Sequence, residues 1–414
     1  MFDWFFNLWN NYAQLITSIV VIGVVIHTCL GGAAYLILLE RKLSAWAQDR
    51  LGPNRVGPLG LLQPIADGLK LFLKEDFIPR GADKVLFILA PGLTVIPALI
   101  GFAVIPWAGE MTLFGQTVKM MAADVNIGVI YIIATASMGV YGVALGGWAS
   151  NSKFSFLGGL RASAQMISYE IPMGLALLCV ILTAGTVAAD QIVAGQMGAG
   201  NQWFILHQPL AAIMFYICML AEANRAPFDL AEAEAELVGG WHTEYSSMKW
   251  AMFFLGEYVH MIVGGAFFVT LFLGGWSLNP FGVGPDLPAG GAWWMILLQF
   301  GVVLGKVFGI ICLTMMVRWT LPRFRFDQLM RLSWEGMIPA SLLLVLVTSF
   351  MVWGGWTDVM WMGSLAALVI IVVAHPLMPR QANPNHRIPM IGSRFSPLRE
   401  PGHADAITAE KAGV

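Results

Sequence analysis

Nine separate stretches of mostly apolar residues, each about as long as a bilayer is thick, run through this chain. A helix needs roughly 20 such residues to cross a hydrocarbon core ~30 Å thick. The stretches lie near residues 15–39, 85–107, 127–148, 162–187, 203–220, 250–276, 293–317, 336–356 and 361–377. The last two are separated only by a short turn around Thr357 and Asp358. Charged residues make up 12% of the 414 residues and hydrophobic ones 57%. That charge content is half the ~25% of a soluble domain, too little to cover a water-facing surface. A soluble enzyme and a disordered chain are therefore excluded. A net charge of −2 with no basic stripe also excludes a nucleic-acid binder. The expected fold is an all-α polytopic membrane protein of about nine transmembrane helices with one further interfacial helix.

Lys and Arg set the orientation. Of the 23, 21 fall in alternate connections and the tail, while Lys119 lies on the opposite face and Lys306 within the seventh span. By the positive-inside rule the N-terminus is outside and the long charged loops are inside. The first fifteen residues carry Trp4, Phe5, Phe6, Trp9 and Tyr12 but no Lys or Arg, which suits an aromatic belt better than a cleaved signal peptide. Residues 1–356 are expected to form an eight-span core, 357–379 an additional span, and 380–414 an internal tail.

The segment between the first two spans is too long for a turn. Within it Leu61, Ile65, Leu69 and Phe72 repeat at helical spacing, while Gln63, Asp67, Lys70 and Lys74 take the other side. This predicts an amphipathic helix in the interface, either a solvated surface element or a lateral gate for a lipid-soluble ligand. The stretch 222–244 holds Glu222, Asp229, Glu232, Glu234, Glu236 and Glu244, answered locally only by Arg225. Pro227 should break the span at Ala226. Asp229, Glu232 and Glu236 would share one face if helix resumes. Carboxylates so crowded cannot all ionise cheaply and can share protons; an acidic solvated loop is the alternative.

Three ionisable residues fall inside spans: Glu170, Glu257 and Lys306. Each costs at least ~2.5 kcal/mol at the bilayer centre, so each should face a cavity or a partner. Glu257 and His260 can share a helical face, and Pro172 loosens the helix beside Glu170. Together with Glu222 these are parts of a proton path, or else a static Glu–Lys pair that fixes packing. Cys29, Cys179, Cys218 and Cys312 read as four small buried hydrophobes rather than ligands of a zinc or iron–sulfur site. No phosphate-binding loop or dinucleotide fingerprint is present. His27, His207, His260 and His375 lack the paired spacing of a two-haem bundle.

The loops themselves carry longer motifs. Glu40-Arg41-Lys42, the run from Asp49 to Pro58, and Gly60-Leu61-Leu62-Gln63-Pro64 with Ala66-Asp67 and Lys70-Leu71 come first. Ser168-Tyr169-Glu170, the run from Ala221 to Leu230, Glu232-Ala233-Glu234, the run from His242 to Ser246, and the run from Pro322 to Leu329 follow in order. From about Leu15 to Trp356 the chain resembles the H-type membrane subunits of NADH–quinone oxidoreductase (respiratory complex I), a family known in mitochondria as subunit 1. Ala231 and Trp241 depart from the Pro and Phe usual in that family.

The resemblance implies a membrane-arm subunit that is catalytically silent alone. It would form the quinone-access tunnel and couple quinone reduction to proton translocation. Spans 1 and 6 and the amphipathic helix would frame the tunnel entrance. Arg41, Arg50, Asp67 and Arg318 would lie near the tunnel. Glu170, Glu222, Asp229, Glu232, Glu234, Glu244 and Glu257 would form the proton-coupling set, and Arg55, Arg323 and Arg325 would dock the peripheral arm. No metal or cofactor is expected in this chain: quinone is substrate, while flavin, NADH and iron–sulfur clusters belong to partner subunits. Implied partners are the peripheral-arm subunits with the terminal cluster, small and antiporter-like membrane subunits, quinone and lipid. The long tail favours a bacterial plasma membrane over a mitochondrial inner membrane. Rival readings are the anchor of a membrane-bound hydrogenase-type complex and a stand-alone proton antiporter.

Overall fold

The computed structural model describes residues 3–198, 200–230, 239–283, 286–288 and 290–374. Helix α1, Asp3–Ala47, is continuous from Tyr12, where a non-helical residue interrupts it. The 36 residues Tyr12–Ala47 rise about 54 Å at 1.5 Å each. That exceeds the ~30 Å hydrocarbon core, so the last turns carry Glu40 and Arg41 past it. The interfacial helix α2, Gln63–Leu73, starts with proline in its first turn, where a missing N–H is harmless.

Helix α3 is Lys84–Gly101, and Asp83 caps it by accepting from the amides of Val85 (3.0 Å) and Leu86 (3.3 Å). Helix α4 is Gly128–Ala149. It crosses α3 closely because Gly142 has no side chain: a Cβ there would sit 2.9 Å from the carbonyl oxygen of Ala90. Small residues at a crossing gain van der Waals contact, the main attraction available where lipid is as apolar as the helices. Helix α5, Lys153–Ala184, ends at Gly185 with φ of 69°, a left-handed cap that glycine adopts freely.

Among the described residues eight helices are long and apolar enough to span a bilayer. The fifth expected span differs from its reading as one continuous helix. After the short α6, Ala189–Gly195, it consists of α7, Phe204–His207, and α8, Pro209–Glu222. Gln208 is non-helical (φ −133°, ψ 63°), and Pro209 has no N–H to carry the ladder across. Helix α8 also stops at Glu222, before the break expected at Ala226.

Helices α9, Ser247–Phe272, and α10, Trp293–Thr320, follow. The next span joins α11, Phe326–Arg331, to α12, Ile338–Trp353, through a π-helical segment Leu332–Met337. A 3-10 turn, Thr357–Val359, leads into α13, Met360–Ala374. The first compact unit ends at Val369; of the second, only residues 370–374 are described.

A small sheet has no counterpart in the sequence reading. Strands β1, Glu110–Leu113, and β2, Gln116–Lys119, form an antiparallel hairpin, and β3, Gly290–Gly291, pairs parallel to β1. Lys119, the isolated cation of that face, binds Asp124 at 2.7 Å and Asp190 at 2.8 Å. Cys29, Cys179 and Cys218 are buried, but Cys312 is only half-buried, so three of the four meet the expectation.

Candidate functional site

Four segments converge where α1 leaves the hydrocarbon. Helix α1 brings Glu40, Arg41 and Ser44, α9 brings Phe254, Glu257 and Tyr258, the last turns of α10 bring Arg318 and Trp319, and the loop after α8 brings Arg225 and Asp229. They enclose a cavity of about 470 Å³. The loop turns inward because Asn224 takes a left-handed conformation (φ 48°) directly after the helix end, which Asn tolerates better than most residues. Gln165 on α5, fully buried, holds the loop by donating to the carbonyls of Ala221 and Phe228, each at 2.9 Å.

The centre of the cavity is Arg225, 6% exposed. Its guanidinium lies 3.6 Å from Glu40, 3.7 Å from Glu257 and 4.2 Å above the ring of Tyr258. Tyr258 donates to Glu40 at 2.6 Å, and Arg318 donates to the other oxygen of the same carboxylate. Buried charges persist only when compensated in this way. Arg323 reaches Asp229 at 3.3 Å on the rim.

A second, apolar cleft of about 170 Å³ lies between α1, α2 and α9, walled by residues such as Ala34, Leu38, Pro64, Leu71, Met252 and Leu255. It shares Ile37, Arg41 and Phe254 with the charged chamber. Arg41 binds Asp67 of α2 at 2.7 Å across this junction. One end is thus greasy and the other charged, the arrangement that suits an amphiphile with a long tail and a polar head.

Deeper in the bundle, Glu222 and His260 line a cavity of about 30 Å³ with Met219, Phe267 and other apolar side chains. That is room for a single water, which needs more than about 10–15 Å³. Glu170 is near enough to Glu222 to interact with its charge, and one of its carboxylate oxygens lacks a hydrogen-bond partner among the described residues. The preceding Ser168 is gripped by the π-helical segment: its carbonyl accepts from Ser333 at 2.6 Å and its hydroxyl from Trp334 at 3.2 Å. Short π-helical turns inside α-helices are frequent at functional sites.

Of the residues singled out from sequence, Arg41, Asp67, Asp229, Glu257 and Arg318 meet at the chamber and cleft. Glu170 and Glu222 form the deeper group. Arg50 is not brought in: it is exposed, donates to Gln48 at 2.8 Å, and lines neither space. Glu244 is half-buried and outside the chamber. Arg55 and Arg325 are exposed, whereas Arg323 is tied to Asp229. Glu232, Glu234 and Glu236 lie outside the described residues, and with them the expected acidic face; so does His375.

The Glu–Lys alternative for Lys306 does not describe this chain. Its ammonium donates to the backbone carbonyls of Leu273 (2.6 Å), Gly275 (2.8 Å) and Ser277, and lies 4.1 Å over the ring of Trp203. It therefore satisfies carbonyls of the loop that follows α9, beginning with the C-cap residue Leu273. Glu40, Arg225 and Tyr258 are not among the expected site residues. Their signals are present all the same: Glu40 precedes Arg41 at the close of the first span, Arg225 is the one cation of an acidic run, and Tyr258 follows Glu257.

Burial pushes the Asp229 carboxyl from 3.8 up to about 6, with Arg323 opposing the rise and Glu257 adding to it. Between those two values the folded protein holds a proton that the unfolded chain has lost. Its contribution to stability therefore falls as pH rises through that window. Asp229→Asn, which mimics the protonated form, should gain melting temperature over the native protein as pH rises from about 4 to about 6 and hold that gain above it. A constant difference across the range, measured by thermal denaturation of the assembled protein, would refute this.

The family model for NADH dehydrogenase matches residues 19–349. The chain is 49% identical over 329 residues to an H-type subunit of NADH-quinone oxidoreductase from Geobacter metallireducens, covering 80% of this chain and 94% of that protein. It is 48% identical over 347 residues to the H-type subunit of the same enzyme from Syntrophotalea carbinolica, covering 84% and 99%. To an H-type subunit from Cytophaga hutchinsonii it is 46% identical over 336 residues, covering 81% and 94%.

Proposed function

This chain belongs to the NADH dehydrogenase family and is a membrane subunit of an NADH–quinone oxidoreductase, and on that premise we propose how its two connected spaces serve the reaction. The apolar cleft between α1, α2 and α9 admits a polyprenyl quinone from the bilayer. The charged chamber takes its head, and the acids around and beneath it couple reduction to proton movement. The observation that carries this reading is the shared wall of Ile37, Arg41 and Phe254 between an apolar opening and a chamber built around a buried Arg225.

Each part acts through its chemistry. Aliphatic walls accept a hydrocarbon tail without breaking hydrogen bonds. Arg41, Arg225 and Arg318 supply donors to oxygen atoms of the head, the arrangement that stabilises negative charge developing on an acceptor. Reduction to the quinol takes up electrons from a cluster in a partner subunit and protons from the surroundings. Glu257 and Asp229 stand nearest the chamber as acids; Glu222 and Glu170 then exchange protons deeper in the bundle. Like-charged neighbours respond to each other's ionisation, so a proton lost at the chamber changes affinity at the next carboxylate. Exposed Arg55 and Arg325 face the peripheral-arm subunits.

The chain sits as a multi-pass protein in a bacterial plasma membrane, N-terminus outside and Arg-rich loops inside, with residues 357–379 as an added span. The hydrogenase-type anchor and the stand-alone antiporter are not favoured, because the relatives carry the quinone enzyme's name.

Photolabelling tests the route. A quinone with a photoreactive group on its head, irradiated in the assembled complex, should label peptides containing Glu40–Ser44 and Phe254–Tyr258, with excess unlabelled quinone suppressing both. Labelling confined to α4 or α13 would overturn the assignment.

A further inference from the structure

The interfacial helix α2 has little packing to hold it. None of its eleven residues is buried within the chain, so within the chain polar contacts near its ends are what tie it to its neighbours. Toward its start, Asp67 accepts from Arg41 at 2.7 Å and from Gln63 at 3.1 Å. Its other end is held by the first turn of α9. The Ser247 hydroxyl lies 2.9 Å from the carbonyl of Leu71 and 3.0 Å from that of Lys74. These are carbonyls at the end of α2, the group that a helix leaves without internal partners. Lys249 adds an ion pair at 2.6 Å with Asp76, just beyond α2, and its ammonium stands 5.7 Å above the ring of Phe87 on α3.

Ser247 is 3% exposed and has φ of 56°. A β-carbon disfavours that conformation, and glycine would hold it with less strain. What serine supplies there and glycine does not is the hydroxyl, which is spent wholly on α2. The consequence reaches the apolar cleft. Helix α2 gives the cleft Gln63, Pro64, Asp67, Gly68 and Leu71, while Met248, between the two clasp residues, stands on the α9 side.

We infer that Ser247, assisted by Lys249, is a positioning residue for passage of the quinone's polyprenyl tail, because it ties α2 to α9 and so sets the width of the cleft between them. This rests on reading the cleft as the lateral opening for quinone. Neither Ser247 nor Lys249 lines the charged chamber, so head-group binding does not depend on them directly. Without the hydroxyl, the last turn of α2 loses its direct tie to α9 and is held there through the Lys249–Asp76 pair just beyond it, so it swings more widely.

The test uses the assembled complex in membranes with Ser247→Ala and Ser247→Gly. Two quinones with the same head are compared, one with a long polyprenyl tail and one with a short alkyl tail. Both variants should raise KM for the long-tailed quinone by roughly fivefold, the scale of one net hydrogen bond, while kcat and the short-tail KM stay unchanged. Spin labels on Leu69→Cys and Val85→Cys, both exposed positions, should show a broader distance distribution in each variant. Ser247→Gly relaxes the backbone and Ser247→Ala does not, so an effect shared by both belongs to the hydroxyl. An effect in Ser247→Ala alone, an equal KM change for both quinones, or an unchanged distance distribution overturns the inference. Broadening with no tail-dependent kinetics would instead leave the clasp standing and overturn the cleft as the quinone's opening.

Discussion

Replacing Arg225 with methionine is expected to abolish quinone reduction and to lower the amount of assembled complex. Methionine fills much the same volume, so packing alone is not the cause. Arg225 is the cation that Glu40 and Glu257 share, at 3.6 Å and 3.7 Å, in a site where Arg225 is 6% exposed and Glu40 is 9% exposed. Removing one partner of a buried ion pair costs about 3–5 kcal/mol, because the remaining charge is left without compensation. Glu40 keeps Arg318 and Tyr258, whereas Glu257 loses the only ion-pair partner seen for it among the described residues. Adding Glu257→Gln to Arg225→Met should therefore restore assembly in part without restoring activity. Complex abundance on native gels, set beside NADH–quinone reductase rates, separates the two effects. Native-level activity in Arg225→Met would remove the chamber from the mechanism.

Glu222→Gln should leave the fold and assembly intact while depressing quinone reduction by roughly 100-fold, the lower end of what a positioned proton-transfer group contributes. Glutamine keeps the shape of the protonated acid but cannot release a proton. Glu222 lines a space for about one water together with His260, and Glu170 is its acidic neighbour. The block should fall on coupled turnover, so reduction of the iron–sulfur clusters by NADH in the partner subunits should survive. Glu222→Asp keeps a titratable group on a shorter arm and should give an intermediate rate. Normal quinone reduction and proton pumping in Glu222→Gln would show that this carboxylate is structural.

Much of the architecture is legible because hydrophobic length is a local property. Eight spans, the interfacial helix and the short turn before α13 all follow from residue type and spacing. The fifth span reads as continuous because the stretch 203–220 is apolar throughout its middle, and the break depends on one non-helical residue before Pro209. The sheet is invisible to pattern: two four-residue strands and a glycine pair have too little of it to register. Lys306 carries more weight in the sequence than in the fold for a related reason. Its cost in a membrane is readable, but the backbone carbonyls that relieve it come from residues about thirty positions earlier.

Sequence by itself determined that this chain spans a membrane several times, that most of its cations fall in alternate connections between the apolar stretches, and that costly carboxylates sit in or beside the spans. Those conclusions need only the chemistry of each residue against a solvent of known thickness. Tertiary structure alone decided which charges meet. Glu40, Arg225, Glu257 and Arg318 come from four separate segments, and no spacing rule links them. Whether a charge is paired depends on distance and burial, since Coulomb attraction and desolvation both vary steeply over a few ångströms, and only the packed bundle sets those distances.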